Sequence, residues 1–284
     1  MKKIISFITS LFLIFALFNC SELEREIDLE LPAYESRLVV ECYLEANNSY
    51  YVLITKSSPY FDPFPTLDNQ YLSNILEDSA QVIIRHGNKE IMLDNQLGFN
   101  FSTNKLYNYI NNDGDLVPED YETPFELDIV TKEGETITAT TKLLPVVPID
   151  SIVVQFNDTD TLARVLTYFT DIPDQENYFR RMLHESSVDS LPQQDFTTDD
   201  RVIEDVVVFG TGYNYEVGDT VINTIFHINK AYYDFLESVQ IAVDGNFNPF
   251  GQPSPIISNL EGTANAIGIF TGLSFDRRAT IIEA

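Results

Sequence analysis

The side chains able to do covalent or metal chemistry are few in this chain and widely spaced. Of 284 residues, two are cysteines, Cys20 and Cys42, and three are histidines, His86, His184 and His227. The histidines are too far apart in sequence to form a local His–His metal motif. No Gly-x-Ser-x-Gly elbow and no phosphate-cradling glycine loop is present. The sequence therefore predicts no metal, no cofactor and no catalytic residue, although the numerous carboxylates leave open a glycosidase-type pair assembled from distant strands.

Cys20 stands where one covalent modification is expected. Lys2 and Lys3 precede an apolar run over residues 4–18, which is the layout of a secretory signal. The run is shorter than the about 20 residues that a membrane-spanning helix needs. A cysteine that closes such a run resembles the lipobox of bacterial lipoproteins, in which the thiol takes a diacylglycerol and the signal is cut just before it. Residues 1–19 are therefore predicted to be a lipoprotein signal peptide; the alternative is an ordinary signal peptide that is cut elsewhere.

Acidic residues dominate the stretch that follows Cys20. Residues 20–32 form a predicted tether that opens with Ser21, Glu22 and Glu24. The arrangement resembles the export signal of Bacteroidota surface lipoproteins, in which serine or lysine and then acidic residues follow the acylated cysteine. This resemblance implies a protein held in the outer membrane by its acyl chains and facing the cell exterior; a periplasmic orientation is the alternative.

The charge balance excludes one class of partner. Seventeen basic residues stand against 44 acidic ones, a formal net charge of −27 at pH 7. Such a chain is repelled by phosphate, so we expect no binding to nucleic acid. Acylation of Cys20 would leave Cys42 without a disulfide partner, and Cys42 lies in an alternating strand-like run. We therefore interpret it as a small buried residue in a fold held together by its core.

Short strands with turns between them predict a mainly β protein of two domains. Immediately after the tether, β-branched and aromatic residues recur at strand spacing without helical periods, which favours an immunoglobulin-like β-sandwich over residues 33–146. Pro145 and Pro148 bracket an apolar pair and mark a stiff boundary. The strands predicted in the sandwich cover residues 37–44, 50–56, 81–85, 90–93, 125–130 and 136–142, with a short helix at its edge within 67–76.

The second predicted domain, residues 147–284, is β-rich and carries one packed α-helix, at about 230–243. Asn229 can cap the helix, apolar residues from Tyr232 to Val243 recur on one face, and Gly245 offers a stop. The strands predicted here cover residues 151–156, 162–169, 178–183, 205–209, 220–227 and 266–273.

Two segments that mix aromatic residues with prolines are predicted to be stiff loops. Tyr60, Phe61 and Phe64 lie in the first, and Phe247 and Phe250 lie in the second. Rigid exposed aromatic residues make good interface anchors, so these five are our candidates for contact with a partner or cargo. The alternative for the first loop is that its aromatic residues fold back over the end of the sandwich.

Several short sequence motifs occur in an order that resembles one family over nearly the whole mature chain. They include LVVECYL at 38–44, SSPYFD at 57–62, LLPVVPIDSI at 143–152, KAYYDF at 230–235, NPF at 248–250 and AIGIF at 266–270. Phrases of this kind are similar to those of the Bacteroidota outer-membrane lipoproteins grouped as a domain of unknown function, number 4249. The resemblance supplies no catalytic residue.

The resemblance implies association with a SusC-like TonB-dependent outer-membrane receptor. The sequence thus predicts a surface-exposed, lipid-anchored, non-enzymatic accessory or cargo-capturing subunit of such a transporter. A free-standing surface adhesin or structural lipoprotein is the first alternative, and a surface hydrolase is the second.

Overall fold

The computed structural model describes residues 35–58, 69–100, 105–157, 162–201, 205–246 and 254–283. The strands are β1 (Leu38–Glu45), β2 (Tyr51–Lys56), β3 (Gln81–His86), β4 (Lys89–Asn100), β5 (Lys105–Ile110), β6 (Phe125–Val130), β7 (Thr136–Thr141), β8 (Ile149–Phe156), β9 (Ala163–Thr170), β10 (Tyr178–Glu185), β11 (Gln194–Asp199), β12 (Val206–Gly210), β13 (Thr220–Ile228), β14 (Glu261–Gly262) and β15 (Ile267–Ile281). The helices are α1 (Asn69–Ile75) and α2 (Lys230–Asn246).

The strands form a 12-stranded sheet in the order β11-β10-β13-β15-β1-β2-β5-β4-β3-β6-β7-β14 and a three-stranded sheet in the order β12-β9-β8. Strand β4 turns the long sheet onto itself. Its first part pairs with β3 and its second part with β5, with a register shift between Asn95 and Gly98. Such irregularities let one strand serve two packed layers. The buried residues of both layers form one apolar cluster, in which Val40 and Val52 from one layer join Ile84 and Leu127 from the other.

Asn108 completes the pairing between β2 and β5. Direct pairing covers only the start of β2, at Tyr51 and Val52. Further along, the fully buried Asn108 side chain takes over: its Oδ1 accepts from the Ile54 amide at 2.8 Å, and its Nδ2 donates to the Ile54 carbonyl at 3.0 Å. The same Nδ2 donates to the Glu77 carbonyl at 2.9 Å. One side chain therefore satisfies backbone groups that would be costly to bury unpaired.

The last strand, β15, joins the strands of the first half of the chain to those of the second. It pairs in parallel with β1 and antiparallel with β13. At the start of the parallel pairing the backbone of β15 runs very close to β1: a Cβ placed on Gly268 would lie 1.9 Å from the Val40 carbonyl oxygen, and its φ is +134°. Only glycine fits such a position without displacement. The glycine-rich sequence of this strand thus has a structural reason.

The mainly β class with one packed helix in the C-terminal region is confirmed. Asn229 caps α2 as predicted, since its Oδ1 accepts from the Tyr232 amide at 2.9 Å. Two details of the helix prediction were wrong: α2 continues through Gly245 to its end at Asn246, and Val243 is 44% exposed rather than packed. Ser238 in the third turn is buried, and its hydroxyl donates to the Phe235 carbonyl at 2.8 Å.

The prediction from sequence missed three strands and the second halves of two others. Strand β11 is polar, no clear turn signal precedes β5 in the sequence, and β14 has two residues. Strands β4 and β15 run several residues beyond their predicted ends. The predicted domain boundary near 146/147 stays a prediction: Leu143 and Val147 belong to different apolar clusters, while Ser36–Ala284 group as one compact unit.

Candidate functional site

The functional residues predicted from the sequence lie outside the described part of the chain. This holds for the lipidation and export residues Cys20, Ser21, Glu22 and Glu24. It holds equally for the predicted contact residues Tyr60, Phe61, Phe64, Phe247 and Phe250. Their roles therefore stay predictions, and the candidate site in the described part of the chain consists of other residues.

An open groove lies on the face of the sheet that α2 partly covers. Alternation along β10, β13, β15 and β1 sends every second side chain to this face, and α2 packs there through Tyr232 against Phe226 and Ile269. Beyond Tyr232 the face is uncovered and encloses a cavity of about 140 Å³. Its apolar lining consists of Tyr43, Met182, Val188, Phe226, Tyr232, Leu273 and Phe275. Its polar lining consists of Glu45, Lys105, Arg180, His184, Asp189 and Arg277.

Arg180 is held in place by protein partners. Its Nε and Nη2 donate to the two carboxylate oxygens of Asp195 at 2.7 and 2.6 Å, and its Nη1 donates to the Tyr232 hydroxyl at 2.8 Å. Burial opposes the charge of Arg180, but the hydrogen bonds and charge of Asp195 raise its pKa above the usual value. Bidentate pairs of this kind are geometrically rigid. Arg180 thus lines the groove, but Asp195 already neutralises its charge.

Arg277 is held in place but keeps free donors. Its Nε donates to the hydroxyl of the fully buried Thr224 at 2.9 Å, and its guanidinium lies 4.9 Å from the centre of the Phe275 ring. Within the described residues no carboxylate forms an ion pair with it, and neither Nη has a hydrogen-bond partner. Partial burial of its guanidinium lowers the pKa of Arg277, while the charge of Glu45 raises it. A fixed guanidinium with a free edge is suited to a planar anion.

His184 and Glu45 complete the polar part of the groove. His184 is only 3% exposed, and its Nδ1 has no hydrogen-bond partner within the ranges that the structure describes. Burial lowers its pKa and the charge of Arg277 lowers it further, so the imidazole is neutral at pH 7. Burial also raises the pKa of Glu45. His227 differs from His184, because its Nδ1 lies 2.9 Å from the Pro145 carbonyl oxygen.

A smaller depression of about 30 Å³ adjoins the groove and shares Tyr43 and Lys105 with it. Lys105 forms an ion pair with Glu41, and its ammonium lies 4.5 Å from the centre of the Tyr43 ring. Tyr51 and Tyr107 pack against each other in the same depression, with ring centres 4.7 Å apart. Aromatic rings therefore extend from the groove along the outer face of β1, β2 and β5.

A second exposed feature is the outer face of the three-stranded sheet. The register pairs Val208 with Tyr168 and Val153 with Leu166, so these side chains share one face with Val206. Val206, Val208 and Val153 are 53%, 47% and 37% exposed. We call the five residues the outer strip. Contiguous exposed apolar residues of this kind often mark contact with another protein.

The groove offers binding chemistry: apolar and aromatic walls, one unpaired guanidinium and one neutral imidazole. Cys42 is fully buried in the sandwich core, as expected, and burial raises its pKa far above the ordinary value. Among the described residues no group of three His, Cys, Asp or Glu side chains could hold a metal ion. The same ranges contain no helix with the length and apolar character needed to cross a membrane.

The sequence contained one overlooked signal for the groove. In a chain with 17 basic residues, two arginine pairs, Arg180-Arg181 and Arg277-Arg278, interrupt strands that otherwise alternate with apolar residues. Adjacent residues of a strand point to opposite faces, so one member of each pair must face the same side as its apolar neighbours two positions away. That reasoning singles out Arg277 in the second pair, but it does not choose between Arg180 and Arg181, because both have apolar neighbours two positions away.

The fold and the groove define a mainly β protein with an open, partly apolar groove on its sheet face. The chain belongs to the family described as "Domain of unknown function (DUF4249)", whose model matches residues 24–279. No curated protein matches the sequence. One solved structure, titled "Cytokine receptor complex - Crystal form 1A", aligns with 10% identity over 68% of this chain and 86% of that chain, at a TM-score of 0.26. A TM-score this low does not show that the two folds are alike. The resemblance to the family is thus confirmed, while the Bacteroidota origin and the receptor partnership remain predictions.

Proposed function

We propose that this chain is a surface-exposed outer-membrane lipoprotein that acts as a non-enzymatic, cargo-capturing accessory subunit of a SusC-like TonB-dependent transporter. Cys20 would carry the acyl anchor, and the acidic tether would let the folded part sit over the mouth of a barrel. Acyl chains supply about 0.8 kcal/mol for each buried methylene, which suffices for stable anchoring when more than one chain is attached. Family membership and the order of the shared phrases support this role.

The observation that carries the cargo-capturing role is the groove. An open, partly apolar cavity with an immobilised but unpaired Arg277 guanidinium is arranged to bind rather than to react. The outer strip supports the accessory role because it presents Val206, Val208 and Val153 to solvent on a sheet of three strands. We assign that strip to contact with the receptor.

Co-purification tests the receptor partnership. A C-terminally tagged chain is expected to bring down a barrel receptor from detergent-solubilised outer membranes, and mass spectrometry is expected to find Cys20 acylated. Val208→Glu should reduce recovery of the receptor, because a charge would enter the apolar contact. The matched control is Val130→Glu, which changes an exposed valine on β6. If the wild-type chain is purified and no barrel receptor accompanies it, the transporter role is overturned and a free-standing adhesin is favoured.

The first aromatic-proline loop is tested in the same assay. Replacing Tyr60, Phe61 and Phe64 together by alanine should reduce recovery if that loop also contacts the receptor. Unchanged recovery would remove the loop from the interface and leave the outer strip as the proposed contact surface. Protease treatment of intact cells tests surface display, since protection of the folded part would contradict it.

A further inference from the structure

We propose that the groove binds a carboxylate that carries one apolar group about the size of an aromatic ring. The inference rests on the cargo-capturing part of the proposed function and names the chemical class of the cargo. Three features of the groove carry it: its size, the free donors of Arg277, and the acidic residues on its rim.

The size of the cavity sets the size of the apolar group. The cavity measures about 140 Å³ and its walls include Phe226, Leu273 and Met182. An apolar cavity of roughly 150 Å³ holds one benzene molecule. The groove therefore has room for a single ring or a comparable branched aliphatic group, with the rest of a larger ligand left outside.

Arg277 supplies the anion-binding group. Its Nε is engaged by Thr224 and its plane rests near the Phe275 ring, so little side-chain entropy remains to be lost on binding. Nη1 and Nη2 have no partner within the part of the chain that the structure describes. A guanidinium in this condition pairs best with a planar, singly charged group such as a carboxylate.

The surroundings favour a monoanion over a phosphate. Glu45 and Asp189 lie in the lining, Asp195 already neutralises Arg180, and Glu41 already pairs with Lys105. A second negative charge on the ligand would face these carboxylates without a cation of its own, in a chain whose net charge is −27. The neutral, nearly buried His184 adds hydrogen-bonding capacity to the wall without adding charge.

Calorimetric titration of the full chain, reconstituted in lipid nanodiscs, tests the proposal. The probes are 3-phenylpropionate, the peptide acetyl-Gly-Gly-Phe with a free C-terminal carboxylate, and the same peptide as its C-terminal amide. We expect 3-phenylpropionate to bind, and a probe that has lost its carboxylate to bind about tenfold or more weakly than the matching acid, because the charged hydrogen bonds to Arg277 are lost. Inorganic phosphate should bind more weakly than 3-phenylpropionate.

Arg277→Gln is the critical variant, and we expect it to weaken 3-phenylpropionate binding by about tenfold or more. Arg277 is exposed, so the variant should fold, which circular dichroism can check. Arg277→Lys keeps the charge but loses the planar fork, so an intermediate loss is expected. The matched control is Arg278→Gln, the next residue, whose partner is Asp276 on the opposite face; it should bind as the wild type does.

The outcomes separate this inference from the proposed function. Failure of 3-phenylpropionate to bind, measurable but equal binding of the peptide acid and its amide, or wild-type affinity in Arg277→Gln would overturn the carboxylate site while leaving receptor co-purification untouched. Binding of 3-phenylpropionate without the peptide acid would identify the source as free small acids, whereas binding of both would admit peptide C-termini. Loss of receptor recovery with ligand binding intact would count against the transporter role alone.

Discussion

The sheet formed by β10, β13 and β15 has one closed face and one face that is partly open. The closed face is covered by the three-stranded sheet, and its contacts form two apolar clusters. A polar layer separates the clusters and consists of Arg181 on β10, Asn223 on β13 and Thr167 on β9, each fully buried. The open face carries the groove. The two faces of the same three strands thus both combine arginine with apolar residues, but one face forms the core and the other forms the groove.

The arginines make the difference concrete. Arg181 has no exposed surface, donates to Gln194, Gly210 and Asn223, and has no carboxylate partner among the described residues. Burial lowers its pKa to about 10. On the open face, Arg180 is neutralised by Asp195. Neutral acceptors thus hold a buried arginine in a structural role, whereas the free edge of Arg277 at the surface is available to a ligand.

Both faces depend on the parallel pairing of β15 with β1. Gly268→Ala is the substitution expected to disrupt that pairing most. The new Cβ would lie 1.9 Å from the Val40 carbonyl oxygen, at a φ of +134°. We expect the free energy of unfolding to fall by about 3 kcal/mol or more. Gly218→Ala is the control, since φ is +100° there but no atom lies within 4 Å, so a loss of about 1 kcal/mol is expected. Equal losses in denaturant titration would contradict the close approach.

The closed face should dominate stability, and two phenylalanines on opposite faces test this. Phe179 is fully buried and packs edge-to-face on Phe169 with ring centres 5.0 Å apart. Phe179→Ala is expected to cost about 3–5 kcal/mol. Phe275 is half-buried on the open face, so Phe275→Ala should cost less than half as much. A larger loss for Phe275→Ala would mean that the groove face carries the core.

The polar layer should behave as a unit. Arg181→Met removes the donor from three acceptors on Gln194, Gly210 and Asn223, and we expect a loss of about 1–3 kcal/mol. The double variant with Asn223→Leu should lose less than the sum of the two single losses, because the hydrogen bond between Arg181 and Asn223 can be lost only once. Arg180→Met should cost less, since its partner Asp195 is 35% exposed and can be hydrated. Additive losses in the double variant would contradict a coupled layer.

The class of fold and most strands were predictable because they depend on local patterns. The burial of Cys42 and the cap at Asn229 follow from alternation and from side-chain chemistry that acts within a few residues. Strand β11 was missed because it is polar and lies at the edge of the sheet, where no buried face imposes alternation. The turn of β4 between two layers was missed because it depends on which strands are neighbours in space.

The groove could be predicted only in part. Alternation places Arg277 beside apolar residues, but it treats Arg180 and Arg181 alike. That Arg180 and Arg277 line one cavity depends on β13 lying between β10 and β15, a long-range pairing that no local pattern encodes. The sequence therefore pointed instead to aromatic loops, whose anchoring potential is visible locally.

The smallest expected effect concerns pH, and it tests the closed face again. His227 is 3% exposed, and burial lowers its pKa, although the Pro145 carbonyl and the charge of Asp171 act in the opposite direction. A histidine whose pKa is lower in the folded state takes up its proton mainly on unfolding. Stability is then lost as the pH falls through the unfolded value of about 6.5.

His227→Gln should therefore lose a smaller share of its stability between about pH 7.5 and 5.5 than the wild type does. The glutamine amide can still donate to the Pro145 carbonyl, so the loss at pH 7.5 should be small. His184→Gln should show the same flattening, because burial and Arg277 lower the pKa of His184. Burial raises the pKa of Asp171, so protonation of this residue at lower pH favours the folded state and opposes the effect of the histidines. The profiles should therefore be compared between about pH 7.5 and 5.5. Parallel pH profiles of wild type and both variants would show that neither face holds a neutral histidine.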